Sequence, residues 1–412
     1  MVPNGWKSYP LSEVCRKQIS YGIVQTGDDL PNGIPCLRVV DLTKAVMCTS
    51  HMIKTSEEIH YAYKKTILEE GEIVMALRGE VGLVKSIDSS LSGANITRGL
   101  ARISAKTSVV YPEFLLWELR SPKFRSDLMR RVGGSALQEI SLTELRQVRT
   151  LIPPLVEQEK IAKILSTWDK AIITTEQLLA NSQQQKKALM QQLLTGKKRL
   201  LDQNGVRFSG EWKASKLSKL FERVTTKNNG QSANVVTISG QHGLIRQEEF
   251  FKKTVASETL DGYFLLKQGQ FAYNKSHSNG YPMGAIKRLN RYPDGVVTTL
   301  YICFELSNSD GDYGDFWEHY FESGILNKGL SQIAHEGGRA HGLLNVKPSD
   351  FFSLKVPVPS FEEQQKIAAV LSTADQEITA LQQKLAALKQ EKKALMQQLL
   401  TGKRRVKVEG AA

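Results

Sequence analysis

The stretch ALMQQLLTGK occurs twice in this chain, as residues 188–197 and again as residues 394–403. Two identical runs of ten residues in a chain of 412 do not arise by coincidence, so they mark an internal repeat. The copies begin at positions 188 and 394, an offset of 206 residues, which is half of the chain length. The sequence therefore predicts a tandem duplication of one unit and a function that requires two copies of that unit.

The residues around each copy repeat at the same offset. The segment LVEQEKIAKILSTWDKAI (residues 155–172) aligns with FEEQQKIAAVLSTADQEI (residues 361–378). Near the start of the chain, GWKSYPLSEV aligns with EWKASKLSKL, so that Trp6 falls on Trp212. Between these repeated ends, the two halves share a layout of strands, turns and one helical stretch but little sequence. The pattern predicts two unlike globular domains on one duplicated frame.

Each repeated segment also predicts a long helix. Residues 157–194 and 362–400 contain neither Gly nor Pro, and apolar residues recur in steps of four and three. About 40 residues in one helix span on the order of 60 Å. The apolar seam consists of Ile161, Leu165, Trp168, Ile172, Leu179, Leu189 and Leu193 in the first helix, and of Ile367, Leu371, Ile378, Leu381, Leu385, Leu388, Leu395 and Leu399 in the second.

A seam with this spacing is typical of a coiled coil. Polar residues interrupt it at Thr175, Ser182 and Lys186 in the first helix and at Lys392 in the second. Because neither helix can bury its stripe alone, the simplest arrangement is that the two helices pair with each other in an antiparallel coiled coil. The alternative is that each helix packs on its own globular domain.

The predicted fold class is α+β, with two globular domains separated by two long helices and related by a pseudo-two-fold tandem duplication. Strand-and-turn patterns flank one helical stretch in each domain, at residues 111–131 and 314–334. The predicted segments are a first domain at 1–154, a first long helix at 155–203, a second domain at 204–359, a second long helix at 360–405 and a tail at 406–412.

The formal net charge is +13, and a positive excess of this size favours polyanions as partners. A basic enzyme without a nucleic-acid partner would show the same charge. No apolar run reaches transmembrane length, and the opening MVPNGWKSYP lacks the basic-then-apolar form of a signal peptide. We therefore expect a cytoplasmic protein.

Motifs of catalysis are missing from the sequence. It contains no GxxxxGK[ST] loop for nucleotide phosphates, no [DNS]PP[YFW] segment of a DNA amino-methyltransferase and no GxSxG nucleophile motif. HEGGRAH (residues 335–341) does not have HExxH spacing, and two glycines would interrupt a helix there. The sequence therefore predicts a non-catalytic chain with no metal site and no cofactor of its own.

Basic and polar residues on predicted loops are candidates for DNA contacts. Lys and Arg side chains contact phosphates or guanine, and Asn contacts adenine. For each residue, the alternative is an ordinary solvated loop. The candidates are Arg78, Lys85 and Arg98 in the first domain, and Tyr273, Asn274, Lys275, His277, Asn279 and Arg339 in the second.

The chain resembles the specificity subunit of type I restriction-modification systems (HsdS). The resemblance is carried by PPLVEQEKIAKIL…ALMQQLLTGK and by VPSFEEQQKIAAVL…ALMQQLLTGK, each following a variable domain that begins WKxxxLS. It implies that each globular domain is a target recognition domain that reads one half of a bipartite sequence in double-stranded DNA. It also implies that the coiled coil sets the spacer between the half-sites.

The same resemblance implies partners for the chain. They are two modification subunits, which bind S-adenosylmethionine and methylate adenine, and usually two restriction subunits, which translocate and cleave DNA. A second hypothesis is a coiled-coil adaptor whose two domains bind other proteins rather than DNA. A third, a single-chain enzyme that both selects and methylates its target, is disfavoured because the [DNS]PP[YFW] motif is missing.

Overall fold

The computed structural model describes residues 2–133, 138–251, 259–308, 312–336 and 344–407. Within these ranges, no helix has the length and apolar character needed to cross a membrane. The chain divides into two compact units, the first formed by residues 1–176 and 383–412 and the second by residues 177–382. Each unit therefore combines one globular domain with the beginning of one long helix and the end of the other.

The first globular domain mixes short strands with short helices. Its strands are β1 (Lys7–Pro10), β2 (Ser20–Tyr21), β3 (Ile34–Leu37), β4 (Ile53–Thr55), β5 (Ile73–Ala76), β6 (Val84–Ser86), β7 (Asn95–Ile96), β8 (Leu100–Ile103) and β9 (Arg149–Ile152). Its helices are α1 (Val39–Leu42), α2 (Glu57–Ala62), α3 (Pro112–Arg120), α4 (Pro122–Arg130) and α5 (Leu142–Gln147), followed by the long helix α6 (Leu155–Leu193). Short 3-10 helices cover Leu11–Val14, Thr49–His51, Lys64–Thr66 and Ser89–Leu91.

The second globular domain has the same kind of structure. Its strands are β10 (Lys213–Lys216), β11 (Phe221–Val224), β12 (Val236–Ser239), β13 (Gly243–Arg246), β14 (Phe264–Lys267), β15 (Phe271–Asn274), β16 (Ala285–Arg288), β17 (Asp294–Val297), β18 (Ile302–Leu306), β19 (His335–Glu336), β20 (Leu344–Asn345) and β21 (Lys355–Val358). Its helices are α7 (Leu217–Leu220), α8 (Gln247–Phe251), α9 (Gly314–Glu322), α10 (Asn327–Ile333) and α11 (Pro348–Ser353), followed by the long helix α12 (Phe361–Leu399).

Each domain contains a four-stranded antiparallel sheet of the same topology. The strand order is β2-β8-β5-β6 in the first domain and β11-β18-β15-β16 in the second. In chain order, the first of the four strands pairs with the fourth. The second and third strands form a hairpin, and the second strand also pairs with the fourth. A separate pair, β1 with β9 or β10 with β21, brings the start of each domain beside the strand that precedes its long helix. The duplicated plan is thus retained where the sequences differ.

These sheets are buried on both faces. In β5, Ile73 and Met75 join one apolar core, whereas Val74 and Ala76 join a second core on the opposite face. This follows from the alternation of side chains along a strand. β15 repeats the arrangement, with Phe271 and Tyr273 on one face and Ala272 on the other. A strand buried on both faces forms a continuous apolar run, as the sequence IVMA shows.

The helical stretch predicted at residues 111–131 is two helices rather than one. Pro122 begins α4, and the Ser121 hydroxyl caps it by accepting a hydrogen bond from the Phe124 backbone N–H at 3.1 Å. Because the residue before a proline disfavours helical geometry, Ser121 is extended and α3 ends at Arg120. The predicted buried face is confirmed, since the side chains involved are fully buried: Phe114, Leu115, Leu119 and Leu128. The stretch at 314–334 likewise divides into α9 and α10.

The two predicted long helices are confirmed, and each has 39 residues. In the first unit, Asp169 and Glu176 of α6 form ion pairs with Lys392 and Lys389 of α12. As the residue numbers rise along α6 they fall along α12, so the segments are antiparallel. The second unit shows the same direction, with Ser182 and Lys186 of α6 contacting Glu377 and Asp375 of α12.

The seam residues are buried or half-buried throughout, and those at the helix ends also enter the globular cores. Ile161 and Leu165 at the start of α6 lie in the core of the first domain, together with Leu399 and Leu400 from the end of α12. In the second unit, Ile367 and Leu371 of α12 share a core with Leu193 and Leu194 of α6. Both arrangements considered from the sequence are therefore present, because each helix begins on its own domain and pairs with the other helix.

The seam lysines have equivalent partners in the two units. Lys186 Nζ lies 2.5 Å from Asp375 Oδ1 in the second unit, and Lys392 forms an ion pair with Asp169 in the first. Both the lysines and the aspartates are related by the 206-residue offset of the repeat. Polar residues in an apolar seam fix the register of the helices, since any other register would leave them facing apolar side chains. The interruptions of the seam therefore help to specify this pairing.

We expect the variant Lys392→Gln to lower the stability of the first unit by about 1 kcal/mol, because it removes a half-buried ion pair and a cation–π contact. The contact places Lys392 Nζ 4.7 Å from the centre of the Trp117 ring. Urea denaturation followed by Trp fluorescence would measure the loss. The matched control is Lys384→Gln at an exposed position of the same helix, which should change stability by less than about 0.5 kcal/mol. Equal losses in the two variants would contradict the prediction.

Glu118 of α3 is a buried carboxyl group in the first domain. Its Oε1 accepts a hydrogen bond from the Leu151 backbone N–H at 2.8 Å. Burial raises the pKa of Glu118 from its ordinary value of 4.5 to about 8. The side chain therefore holds its proton across the neutral range in the folded state but loses it in the unfolded state.

This raised pKa predicts that stability falls as pH increases. Between about pH 4.5 and 8 the folded state binds one more proton at Glu118 than the unfolded state, so this group contributes a loss of about 1.4 kcal/mol per pH unit. We expect Glu118→Gln to remove this contribution and to flatten the decline, because the amide oxygen still accepts the Leu151 N–H. Thermal midpoints of both proteins at pH 5 to 9 would test this, and parallel curves would contradict it.

Candidate nucleic-acid interface

Two candidate residues of the first domain, Arg78 and Arg98, lie at one end of its four-stranded sheet. Arg78 follows the end of β5, and Arg98 precedes the start of β8. Because these strands are antiparallel neighbours, the end of one lies beside the start of the other; the Leu77 N–H donates to the Gly99 carbonyl at 2.8 Å. On the other side of β8, Tyr21 ends β2. The topology therefore brings Arg78, Arg98 and Tyr21 to the same edge.

A surface groove of about 440 Å³ lies at this edge. Its exposed or half-exposed lining includes two arginines, one carboxylate and two apolar side chains: Arg78, Arg98, Glu139, Tyr21 and Val24. Tyr21 and Val24 are among the exposed large apolar residues of the chain. A groove with this lining offers hydrogen-bond donors and apolar contact on one surface, the combination used to contact base edges.

Arg78 is held in a defined orientation within the groove. Its Nε and Nη2 lie 2.9 Å and 2.7 Å from the same oxygen of Glu139, Oε1. The backbone supports the contact, because Arg78 and Glu139 also form an isolated β-bridge. The guanidinium has five N–H donors in a planar fork, so this carboxylate leaves donors for another acceptor.

Lys85, the third basic candidate of this domain, lies elsewhere. It is on β6 opposite Val74, back along the sheet from the groove. Its Nζ donates to the Lys44 carbonyl at 3.3 Å. The structure therefore brings Arg78 and Arg98 together and separates Lys85 from them.

Five candidates of the second domain lie in β15 or in the loop after it, which corresponds to the loop after β5 that contains Arg78. Tyr273 was predicted as a DNA contact, and this prediction is wrong. The Tyr273 ring lies in the apolar core, stacked on Phe351 with ring centres 5.4 Å apart, and its hydroxyl donates to the Met283 carbonyl at 2.7 Å. The strand directs this side chain inward, and burial raises the pKa of the Tyr273 hydroxyl.

Asn274 and Lys275 make local contacts at the start of this loop. The Asn274 side-chain oxygen accepts a hydrogen bond from the Ser276 N–H at 3.1 Å, which stabilises the turn. Lys275 is half-buried, with Nζ 3.5 Å from the Val346 carbonyl. Burial lowers the pKa of Lys275, and the charge of Arg223 adds to the effect. These two candidates therefore have structural contacts of their own.

Two candidates of the second domain are displayed at the loop tip, namely His277 and Asn279, which are both exposed. The loop closes through the Ser278–Tyr281 bridge and through Gly280, whose φ of +84° favours glycine. The predicted contact Arg339 lies outside the described residues.

Sequence reasoning missed several residues that shape these surfaces. Tyr21 and Val24 belong to a short strand and its following loop, and an apolar residue in such a segment carries no sequence signal that it is exposed. Glu139 lies far from Arg78 in the chain, so their pairing has no local signature. In the second domain, Lys287 and Arg288 are each paired with a carboxylate, Glu322 and Asp315, at 2.5 Å. Their charge is therefore largely compensated within the fold.

A family model described as the type I restriction modification DNA specificity domain matches residues 3–182 and again residues 211–390. The chain belongs to this family. The two matches cover most of the chain and repeat the duplication, so the type I DNA specificity domain is present twice. Sequence specificity for DNA is accordingly the function class of the chain. The resemblance to HsdS noted from the repeated helices is confirmed.

Individual relatives agree with this assignment. The chain is 28% identical over 165 residues to the type I restriction enzyme EcoBI specificity subunit of Escherichia coli, which covers 40% of this chain and 35% of that protein. It is 26% identical over 312 residues to the putative type I restriction enzyme MjaX specificity subunit of Methanocaldococcus jannaschii. That alignment covers 72% of this chain and 69% of that protein. The crystal structure of the type I restriction-modification S subunit from M. genitalium aligns over 97% of both chains with a TM-score of 0.57 and 14% identity. That likeness shows the fold.

Proposed function

We propose that this chain selects the DNA target of a type I restriction-modification complex by reading a bipartite sequence. Each globular domain reads one half-site, and the paired helices set the length of the gap between them. The observation that carries this proposal is the double match to a DNA specificity domain on one duplicated frame. Two domains with the same topology but different loop residues suit two different half-sites.

The sheet ends described above support different recognition by the two domains. The first presents a carboxylate-held arginine and a second arginine beside exposed apolar residues. The equivalent hairpin of the second presents exposed His277 and Asn279. Donor and acceptor patterns of this kind differ in the bases they fit, because each base pair shows its own pattern in the major groove.

In this proposal the chain is non-catalytic and its partners supply the chemistry. Two modification subunits bind the chain, carry S-adenosylmethionine and methylate adenine in the selected sequence. Two restriction subunits complete the complex. The identical stretches at the ends of the two long helices support two equal modification subunits, since repeated surfaces suit identical partners.

Methylome sequencing of cells that express this chain with its modification partner tests the proposal. The expected result is a split motif with methylated adenine in both halves and a gap of fixed length. A single continuous motif would overturn it. A band-shift assay with the same complex, at stated salt, should show a shift that depends on the motif; a coiled-coil adaptor for proteins would give no sequence-dependent shift.

A further inference from the structure

We propose that the first domain reads a guanine through Arg78, with Glu139 holding the guanidinium in the reading orientation. This inference rests on the proposed function and names one base and one side chain within it. Guanine presents two acceptors, N7 and O6, in the major groove, and an arginine can donate to both at once. A side chain in this role needs a fixed plane, free donors and access to solvent.

The fixed plane comes from Glu139. Arg78 Nε donates a hydrogen bond to Glu139 Oε1 at 2.9 Å, and Nη2 lies 2.7 Å from the same oxygen as an ion pair. The isolated β-bridge between Arg78 and Glu139 fixes the distance between their backbones, from which the two side chains extend. An arginine that contacts only phosphate gains little from such support, because a phosphate accepts donors from many directions. Support of this kind instead suits a planar and directional acceptor pair.

The free donors lie on the other edge of the guanidinium. With Nε bonded to Glu139 and Nη2 beside the same oxygen, at least one N–H of Nη2 and both N–H groups of Nη1 remain for a ligand. An acceptor pair such as N7 and O6 requires two of these donors. Arg78 and Glu139 are also partly exposed, with side chains 37% and 47% accessible, so a DNA groove can reach them.

The surroundings supply the sequence-independent contact. Arg98 is exposed at the neighbouring strand and lines the same groove. We assign it to the DNA backbone, because phosphate contacts position a protein without reading sequence. Substitutions of Arg78 and of Arg98 in the same groove should therefore differ in effect. The first should change sequence preference, and the second should change affinity alone.

The second domain differs at the equivalent position. The Leu77 carbonyl accepts from the Ile140 N–H at 3.0 Å, and the Lys275 carbonyl accepts from the Leu344 N–H at 2.9 Å. Lys275 thus corresponds to Leu77, and Ser276 corresponds to Arg78. An uncharged hydroxyl cannot make the forked contact to guanine, so the inference concerns only the half-site of the first domain.

The test compares variants of the full chain in complex with its modification partner. For Arg78→Ala, methylome mapping should show that one guanine of one half-site becomes degenerate, while the other half-site and the gap are retained. Affinity for the cognate duplex should fall about tenfold or more. Arg78→Lys, which keeps the charge but lacks the fork, should show the same degeneracy. Glu139→Gln should weaken the preference for this guanine to a smaller extent.

A chemical probe identifies the contacted atom. Replacing each guanine of the target in turn by 7-deazaguanine removes N7 and should weaken binding of the unaltered complex at one position. The same replacement should have no further effect on the Arg78→Ala complex. Arg98→Ala should weaken binding to all duplexes alike and leave the motif unchanged. Arg130→Ala serves as control, because Arg130 is exposed on α4 and forms an ion pair with Asp127.

Two outcomes would overturn the inference. One is an unchanged motif in Arg78→Ala with a uniform loss of affinity, which would make Arg78 a phosphate contact. The other is that Arg78→Ala changes neither the motif nor the affinity. Both leave the proposed function intact if the unaltered complex methylates a split motif. If the unaltered complex shows no split motif, the proposed function itself fails.

Discussion

Four residues inserted after Ser182 and four more after Leu388 should lengthen the gap of the target by one or two base pairs and leave both half-sites unchanged. The two positions are equivalent in the repeat and lie within α6 and α12. Four helical residues add about 6 Å of rise, and one base pair corresponds to about 3.4 Å. Since both helices gain the same length, each globular domain keeps its own contacts. Methylome sequencing would measure the gap directly.

Single insertions provide the control for this experiment. An insertion after Ser182 alone makes the two helices unequal, so the seam can no longer pair along its whole length. We expect such a variant to lose methylation or stability rather than to shift the gap. An unchanged gap in the double insertion, or altered half-sites, would count against a spacer role for the helices.

The second large effect concerns a buried joint between the end of α6 and the start of α12 in the second unit. Arg199 donates from Nε and Nη2 to both oxygens of Glu363, at 2.6 Å and 2.7 Å. Trp212 Nε1 donates to the same carboxylate at 2.9 Å. The Glu363 side chain is only 1% exposed, so its charge depends on these partners.

We expect Arg199→Ala to destabilise the second unit by about 3–5 kcal/mol, because it leaves a buried carboxylate without its countercharge. Adding Glu363→Gln to this variant should recover part of the loss, since the amide is neutral and its oxygen still accepts the Trp212 N–H. Hydrogen exchange of peptides from the second domain would measure the change in that unit by itself. A double variant no more stable than Arg199→Ala would argue that lost packing, not charge, explains the effect.

The first unit contains a matched joint for comparison. Arg405 donates to both oxygens of Glu157 at 2.6 Å and 2.7 Å, at positions related to Arg199 and Glu363 by the repeat. The Arg405 side chain is 45% exposed, compared with 19% for Arg199. Water therefore reaches this joint more easily, and Arg405→Ala should cost less than Arg199→Ala.

These joints give a structural reason for the repeated ends of the chain. The stretch at residues 188–197 packs into the core of the second unit, and the stretch at residues 394–403 packs into the core of the first. Gly196 and Gly402 have φ values of +70° and +67°, and each lies against a tryptophan, Trp212 or Trp6. Because both copies complete the same kind of core, substitutions are restricted in both.

The candidate site was only partly predictable. Arg78 and Arg98 could be chosen from the sequence because they follow or precede apolar runs that form strands. Tyr273 was chosen because it opens a predicted loop that is dense in polar residues, but it is buried because its face of β15 meets an apolar core. Which face of a strand is covered depends on segments distant in the chain, and no local pattern contains that information.

By itself, the sequence determined the duplication, the two long helices and their seam, because an exact repeat and a regular apolar spacing are properties of neighbouring residues. It also determined the family, through the same repeated segments. Only the tertiary structure decided that the copy of ALMQQLLTGK that ends α6 completes the core of the second globular domain, and that the copy that ends α12 completes the core of the first. The pairing of Arg78 with Glu139, and of each seam lysine with an aspartate of the other helix, was decided there too. These contacts join residues far apart in the chain, and their geometry exists only once strands and helices have packed.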